Sequence, residues 1–276
     1  MIHDPEFSRL AMDAETIYRR VFEMKLYEIC FSPTGGTKKN ADVICGKLSD
    51  DIIEIDLSDS NTDFTSISLE NERMAVIAVP SYGGRMPVTA AERLSQIRGN
   101  GINAVLVCVY GNRAYEDTLA EMEDTAEQAG FNVVAAVAAI AEHSIVHQIA
   151  SGRPDSEDKK NLEDFAEKIK NNVISGKICK PVIPGNRPYK KRSGVGMIPK
   201  PGKDCVKCGL CAKKCPVRAI DLSNPSKVAS DRCISCMRCV TICPHSARSV
   251  NKLMLAAASA MLRKACAERK ECELFI

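Results

Sequence analysis

The chain has no tryptophan, and with seven phenylalanines and six tyrosines its aromatic content is only 5% of 276 residues. Any site that grips a flat ring must therefore use tyrosine or phenylalanine instead of indole. No run of 18 or more apolar residues occurs, and the N-terminal region lacks the basic, apolar and small-residue layout of a secretion signal. These absences exclude a membrane-spanning helix and predict a soluble, cytoplasmic protein, in which thiols stay reduced. Acids are missing from residues 176–203, which hold eight Lys and Arg with several Pro and Gly. No set of side chains stands out as a general acid, base or nucleophile.

Cysteine is plentiful instead. Eight of fourteen fall into two runs: Cys205, Cys208, Cys211 and Cys215 before Pro216, and Cys233, Cys236, Cys239 and Cys243 before Pro244. Both read C-x₂-C-x₂-C-x₃-C-P, the bacterial spacing for iron–sulfur ligation in which the fourth cysteine serves the other cluster. The expected ligand sets are thus Cys205, Cys208, Cys211 and Cys243 for one [4Fe–4S] cluster, and Cys233, Cys236, Cys239 and Cys215 for the second. Three cysteines at two-residue intervals wrap a loop around a cluster, and the fourth arrives from a separate segment. Each half should then turn at its proline into a short helix. Two structural zinc sites would also use eight thiolates, but zinc does not require a third cysteine two residues after the second.

Charge divides the chain. Residues 1–175 carry 17 Lys+Arg against 29 Asp+Glu, a balance of −12; residues 176–276 carry 21 against 6, a balance of +15. Two oxidised clusters at about −2 each would reduce the second figure to roughly +11. Opposite fields on tethered halves favour docking of one on the other. Nucleic acid is a poor reading of the basic half, which lacks aromatic interleaving and any reader motif.

Between residues 25 and 173 apolar strand-like runs (25–31, 51–57, 73–80, 102–110, 131–140) alternate with helical stretches (38–48, 88–97, 114–130, 155–173). Near-continuous apolar strands separated by helices predict an α/β doubly wound parallel sheet of order 2-1-3-4-5. In such sheets ligands sit beyond the carboxyl ends of the strands. Three loops qualify. Ser32-Pro33-Thr34-Gly35-Gly36-Thr37 combines hydroxyls, glycine amides and a helix start, which suits a phosphate monoester; it is neither a Walker loop nor a dinucleotide fingerprint. Ser81-Tyr82-Gly83-Gly84 and Tyr110-Gly111-Asn112, with Tyr115 beyond, offer backbone approach and ring stacking.

These features together resemble fused proteins of anaerobic bacteria and archaea that join a flavodoxin to a bacterial-type two-cluster ferredoxin. The resemblance runs over roughly residues 24–250. It implies FMN on Ser32, Thr34, Gly35, Gly36 and Thr37, with its ring near Tyr82, Gly83, Tyr110 and Gly111; Ser81, Gly84, Asn112 and Tyr115, on the same loops, are further candidates from the loop reading. The expected division is an N-terminal extension (1–23), an FMN domain (24–175), an extended basic linker (176–203), a small α+β ferredoxin domain (204–249) and a C-terminal helix (250–276). The linker is either a solvated tether or a clamp across the acidic domain. The expected role is electron transfer between two [4Fe–4S] clusters and FMN, with redox proteins as partners; an FMN-dependent reductase of a small acceptor and a redox sensor are the rivals. His143 and His147, at i and i+4, lack a third ligand for zinc.

Overall fold

The computed structural model describes residues 25–192 and 196–276. The expected extension 1–23 lies outside them. Strands β1 (Lys25–Cys30), β2 (Asp51–Asp56), β3 (Arg73–Pro80), β4 (Asn103–Tyr110) and β5 (Asn132–Ile140) alternate with helices α1 (Gly36–Leu48), α2 (Val88–Leu94), α3 (Thr118–Gln128) and α4 (Ser156–Ile174). All five strands are parallel, in the order β2-β1-β3-β4-β5. Strands β3, β4 and β5 are buried almost throughout, as expected of strands covered on both faces, whereas the more polar β2 lies largely exposed at an edge. Helix α1 packs with α4, and α2 with α3. Asp155 caps α4 in a reciprocal capping box with Asp158. Helix α3 begins four residues later than the periodicity predicts, because Asn112 and Glu116 take positive φ.

The second domain is small and built from a 28-residue repeat. Helices α5 (Leu210–Lys213) and α6 (Arg238–Thr241) occupy equivalent places, each after a residue with left-handed backbone, Gly209 and Met237. Each helix precedes the fourth cysteine of its run. The predicted helix after each proline is absent; Pro216 and Pro244 instead begin turns. Those turns place Ala219 N–H and Ala247 N–H each 3.3 Å from the sulfurs of Cys215 and Cys243, which they donate to. A two-stranded antiparallel sheet, β6 (Lys200–Pro201) with β7 (Arg248–Ser249), closes the unit.

The basic segment is a clamp along α3 and its N-terminal turn. Lys180 pairs with Glu127 (2.5 Å), Arg187 with Glu123 (2.6 Å) and Asp124 (2.7 Å), Lys190 with Glu116, and Arg192 with Glu121. Buried Asp117 accepts from Asn186 N (2.8 Å), Asn186 Nδ2 (2.9 Å) and Lys190 N (2.6 Å).

The C-terminal segment is more than the helix expected of it. Helix α7 (Lys252–Arg263) has no buried residue, and Leu253 and Met261 are each 82% exposed. The chain then returns to the first domain as β8 (Glu273–Phe275), which adds antiparallel to β5 and completes a six-stranded sheet. Buried Arg153 donates to Asp158 Oδ2 (2.8 Å) and Lys270 O (2.8 Å), and Arg269 reaches Asp155 (2.7 Å), so this return is pinned by charge as well as by the ladder.

Candidate metal centres and adjoining cavity

The turns that follow Cys215 and Cys243 carry each fourth cysteine across the pseudo-repeat. One hollow is lined by Cys205, Cys208, Cys211 and Cys243, the other by Cys233, Cys236, Cys239 and Cys215. All eight thiols are free of disulfides. Four sulfurs around one zinc at about 2.3 Å would lie about 3.8 Å apart. Among the described residues the sole group of three or more candidate ligands within 4.8 Å of one another is Glu28, Asp42 and Glu54, so no three cysteine sulfurs lie mutually that close. In that acidic group Lys38 Nζ already supplies a cation, 3.1 Å from Glu28 and 2.9 Å from Glu54. Burial pushes the Cys236 thiol up to about 12 and Cys239 up to about 11, the charge of Arg248 opposing it at Cys239.

The strand-end loops meet at a cavity of about 520 Å³, within the range of small-cofactor sites. Thr34, Gly36 and Thr37 line it from the start of α1, Ser81, Tyr82 and Gly83 from the loop after β3, Tyr110 and Gly111 from the end of β4, and Ala141–Ile145 from the loop after β5. Its opposite wall comes from Arg192 and Gly196 of the clamp, Asp231, Cys233, Ile234 and Ser235 of the second cysteine loop, and Leu262 of α7. The second cysteine loop therefore faces the cavity directly, and the first does not line it.

Local chemistry explains this assembly. Ser32 Oγ accepts from Lys38 N–H (2.9 Å), satisfying one amide of the first turn of α1 and leaving others for an anion. Gly111 is required because a Cβ there would lie 2.7 Å from the His143 ring. His143 Nδ1 accepts from Ile145 N–H (3.2 Å) and Val146 N–H (3.1 Å), and burial lowers its pKa, so the ring is neutral with its proton on Nε2. His147 pairs with Glu142 instead, in a loop and not on a helix. Burial pushes the Tyr82 hydroxyl well above its ordinary pKa.

Four expected cavity residues are engaged elsewhere, Ser81 while still lining the cavity. Asn112 donates to Cys266 O (3.1 Å) and Glu268 O (2.9 Å) and accepts from Lys270 N–H (3.0 Å), so its side chain holds the C-terminal return. Tyr115 donates to Glu273 (2.9 Å) and packs edge-on against Tyr110. Gly84, at φ +82°, makes room for Glu116, whose Oε2 would be 1.7 Å from a Cβ. The Ser81 hydroxyl bonds Thr118 at 2.7 Å. Sequence reasoning missed Ser235, whose hydroxyl is buried without a hydrogen-bond partner among the described residues. Its place between Cys233 and Cys236, in the loop nearest the cavity, was the available signal.

The family model of the 4Fe-4S dicluster domain matches residues 204–247. With the parallel order β2-β1-β3-β4-β5, this decides the architecture. The chain is a flavodoxin-like domain fused to a 4Fe-4S dicluster domain. Among solved structures it is similar to the Streptococcus pneumoniae TIGR4 flavodoxin (22% identity, 54% of this chain and 99% of that one, TM-score 0.35). It is likewise similar to a flavodoxin from the Archaea (15%, 54% and 99%, TM-score 0.40). A third is the Fusobacterium nucleatum flavodoxin bound to flavin mononucleotide (17%, 56% and 98%, TM-score 0.33). No curated protein matches the chain significantly. No helix of the described residues is long and apolar enough to cross a membrane.

Proposed function

We propose that this flavodoxin–ferredoxin fusion is a cytoplasmic electron carrier that passes electrons between two [4Fe–4S] clusters and FMN, and exchanges them with redox partner proteins. The observation that carries the reading is the cavity walled on one side by flavodoxin-type loops and on the other by Cys233, Ile234 and Ser235. When bound, the clusters exchange single electrons and FMN one or two, which suits a junction between one- and two-electron chemistry. Thr34, Gly36 and Thr37 at the start of α1 would hold the FMN phosphate, and Tyr82, Tyr110 and Gly111 would flank its ring. The set of Cys233, Cys236, Cys239 and Cys215 is then the one next to the flavin, and the set of Cys205, Cys208, Cys211 and Cys243 the outer one. A reductase of a small acceptor would need a free face above the ring; that the second cysteine loop and Leu262 line the same cavity favours the carrier.

The test is anaerobic purification with iron, sulfide, zinc and FMN quantitation. About eight irons and one FMN per chain are expected. Stoichiometric zinc in place of iron, or no affinity of the loaded protein for FMN, refutes the reading.

A further inference from the structure

Arg248 lies in β7 and is only 2% exposed. Its side chain lines both cysteine hollows. Nη1 donates to Cys211 Sγ (3.4 Å) and Pro225 O (2.8 Å), and Nη2 to Pro199 O (3.0 Å). Nε is buried with no partner. No carboxylate among the described residues pairs with this guanidinium. Arg153, also buried, rests instead on Asp158. Arginine stays charged at any pH a protein meets, and a buried charge without a counter-charge is strongly unfavourable. The missing counter-charge must therefore come from what fills the hollows. Three of the Arg248 contacts tie down segments before, between and within the cysteine runs, but two carbonyls and a thiol do not neutralise a cation.

We infer that Arg248 is the shared counter-charge of the two centres, a positioning residue that sits between them and raises both of their reduction potentials. The inference rests on the cluster reading proposed above. Each centre is anionic through its four thiolates and becomes more so on reduction, so a fixed cation lining both favours the reduced state of each. Because the same guanidinium donates to Cys211, its effect is delivered by a directed hydrogen bond on the outer centre and by charge on the inner one.

Arg248→Gln keeps hydrogen-bond donors and removes the charge; Arg248→Lys keeps the charge and alters the fork. Both are purified anaerobically beside the wild type, their iron content is measured, and the centres are titrated potentiometrically with detection by electron paramagnetic resonance. In loaded Arg248→Gln both reduction equilibria should shift at least tenfold toward the oxidised state, which is 59 mV for a one-electron couple. Arg248→Lys should recover most of that shift. If Gln prevents loading and Lys permits it, the charge is again what the centres require. Unchanged potentials in a loaded Gln variant overturn the inference. So does failure of both variants to load, which would make the residue a matter of shape. A wild type without iron refutes the cluster reading itself, a separate outcome from either.

Discussion

Asp117 offers the sharpest test of how the two domains are held. It is the residue before α3, yet its carboxylate does not cap its own helix. Both oxygens face the basic clamp, accepting two bonds from Asn186 and one from the Lys190 amide, and the residue is 1% exposed. Asp117→Asn keeps the shape but removes the charge and turns an NH₂ group toward one of these donors. Hydrogen bonds to a charged acceptor contribute about 1.5–3 kcal/mol each without adding in full, and an abandoned buried donor costs about 1–3 kcal/mol. A net loss of about 3 kcal/mol follows. Equilibrium unfolding in guanidinium should show it, and limited trypsin digestion should show a roughly hundredfold rise in cleavage within residues 177–192 if that loss falls on local opening. Burial works against the Asp117 charge, but the Lys190 and Asn186 bonds outweigh it and hold the carboxyl below its ordinary 3.8. Its contribution is therefore full above about pH 4 and is lost as pH falls through the lowered folded-state value. The gap between wild type and variant should close in acid. A variant within 0.5 kcal/mol of wild type at pH 7, with an unchanged digestion rate, would refute the clamp.

Cys243→Ser should strip iron from the centre formed with Cys205, Cys208 and Cys211, and Cys215→Ser from the other, each halving the iron content; resonance spectra of the surviving centre would expose an uncrossed arrangement. Glu28 is 2% exposed, and burial pushes its carboxyl up to about 7 although Lys38 stands 3.1 Å away. Its stabilising proton is in place below the unfolded value of 4.5 and is lost as pH rises to 7, so Glu28→Gln should gain about 2 kcal/mol on wild type between pH 4 and pH 8 in denaturant titrations; a pH-independent difference would show the carboxylate to be fully paired by Lys38.

What could be read in advance divides along physical lines. Strands β3, β4 and β5 were legible because burial on both faces leaves almost no polar position in RMAVIAVP, NAVLVCVY or NVVAAVAAI. The α4 start was legible from Asp155 and the acids behind it, because capping is local chemistry. The crossed grouping was expected from the bacterial C-x₂-C-x₂-C-x₃-C-P pattern, and the two hollows gather the cysteines in the same sets. Strand β8 was not, since three residues, Glu-Leu-Phe, carry no period and acquire their conformation from the free edge of β5. That strand and the segment before it engage the side chains of Asn112 and Tyr115. Both look like cavity residues by position, and both are claimed by a segment more than 150 residues away. Ser235 and Arg248 could not have been distinguished from neighbours by type; what marks them is a buried atom with no partner.

The reason for tying the dicluster domain at both ends follows from its size. Its own apolar core is little more than Ala212, Cys215, Ala219 and Ile220, too small to fix an orientation against another domain by itself. The clamp is anchored through Arg192, about 12 residues before Cys205. The return is anchored through Asn112 to Cys266 and Glu268, about 24 residues after Cys243. Tethers this short hold the domain at millimolar effective concentration against its own docking surface, so opening of one anchor leaves the other in place. Direct contacts then set the register: Arg93 donates to Pro216 O (2.6 Å) and Arg218 to Ser60 O (2.6 Å), both beside the turn that carries Cys215. In the proposed assignment the crossed Cys215, which shares a hollow with Cys233, Cys236 and Cys239, is the ligand of the inner centre. The contacts that orient the domain thus act beside the sulfur set facing the cavity, and the −12/+15 division of charge supplies the anchors.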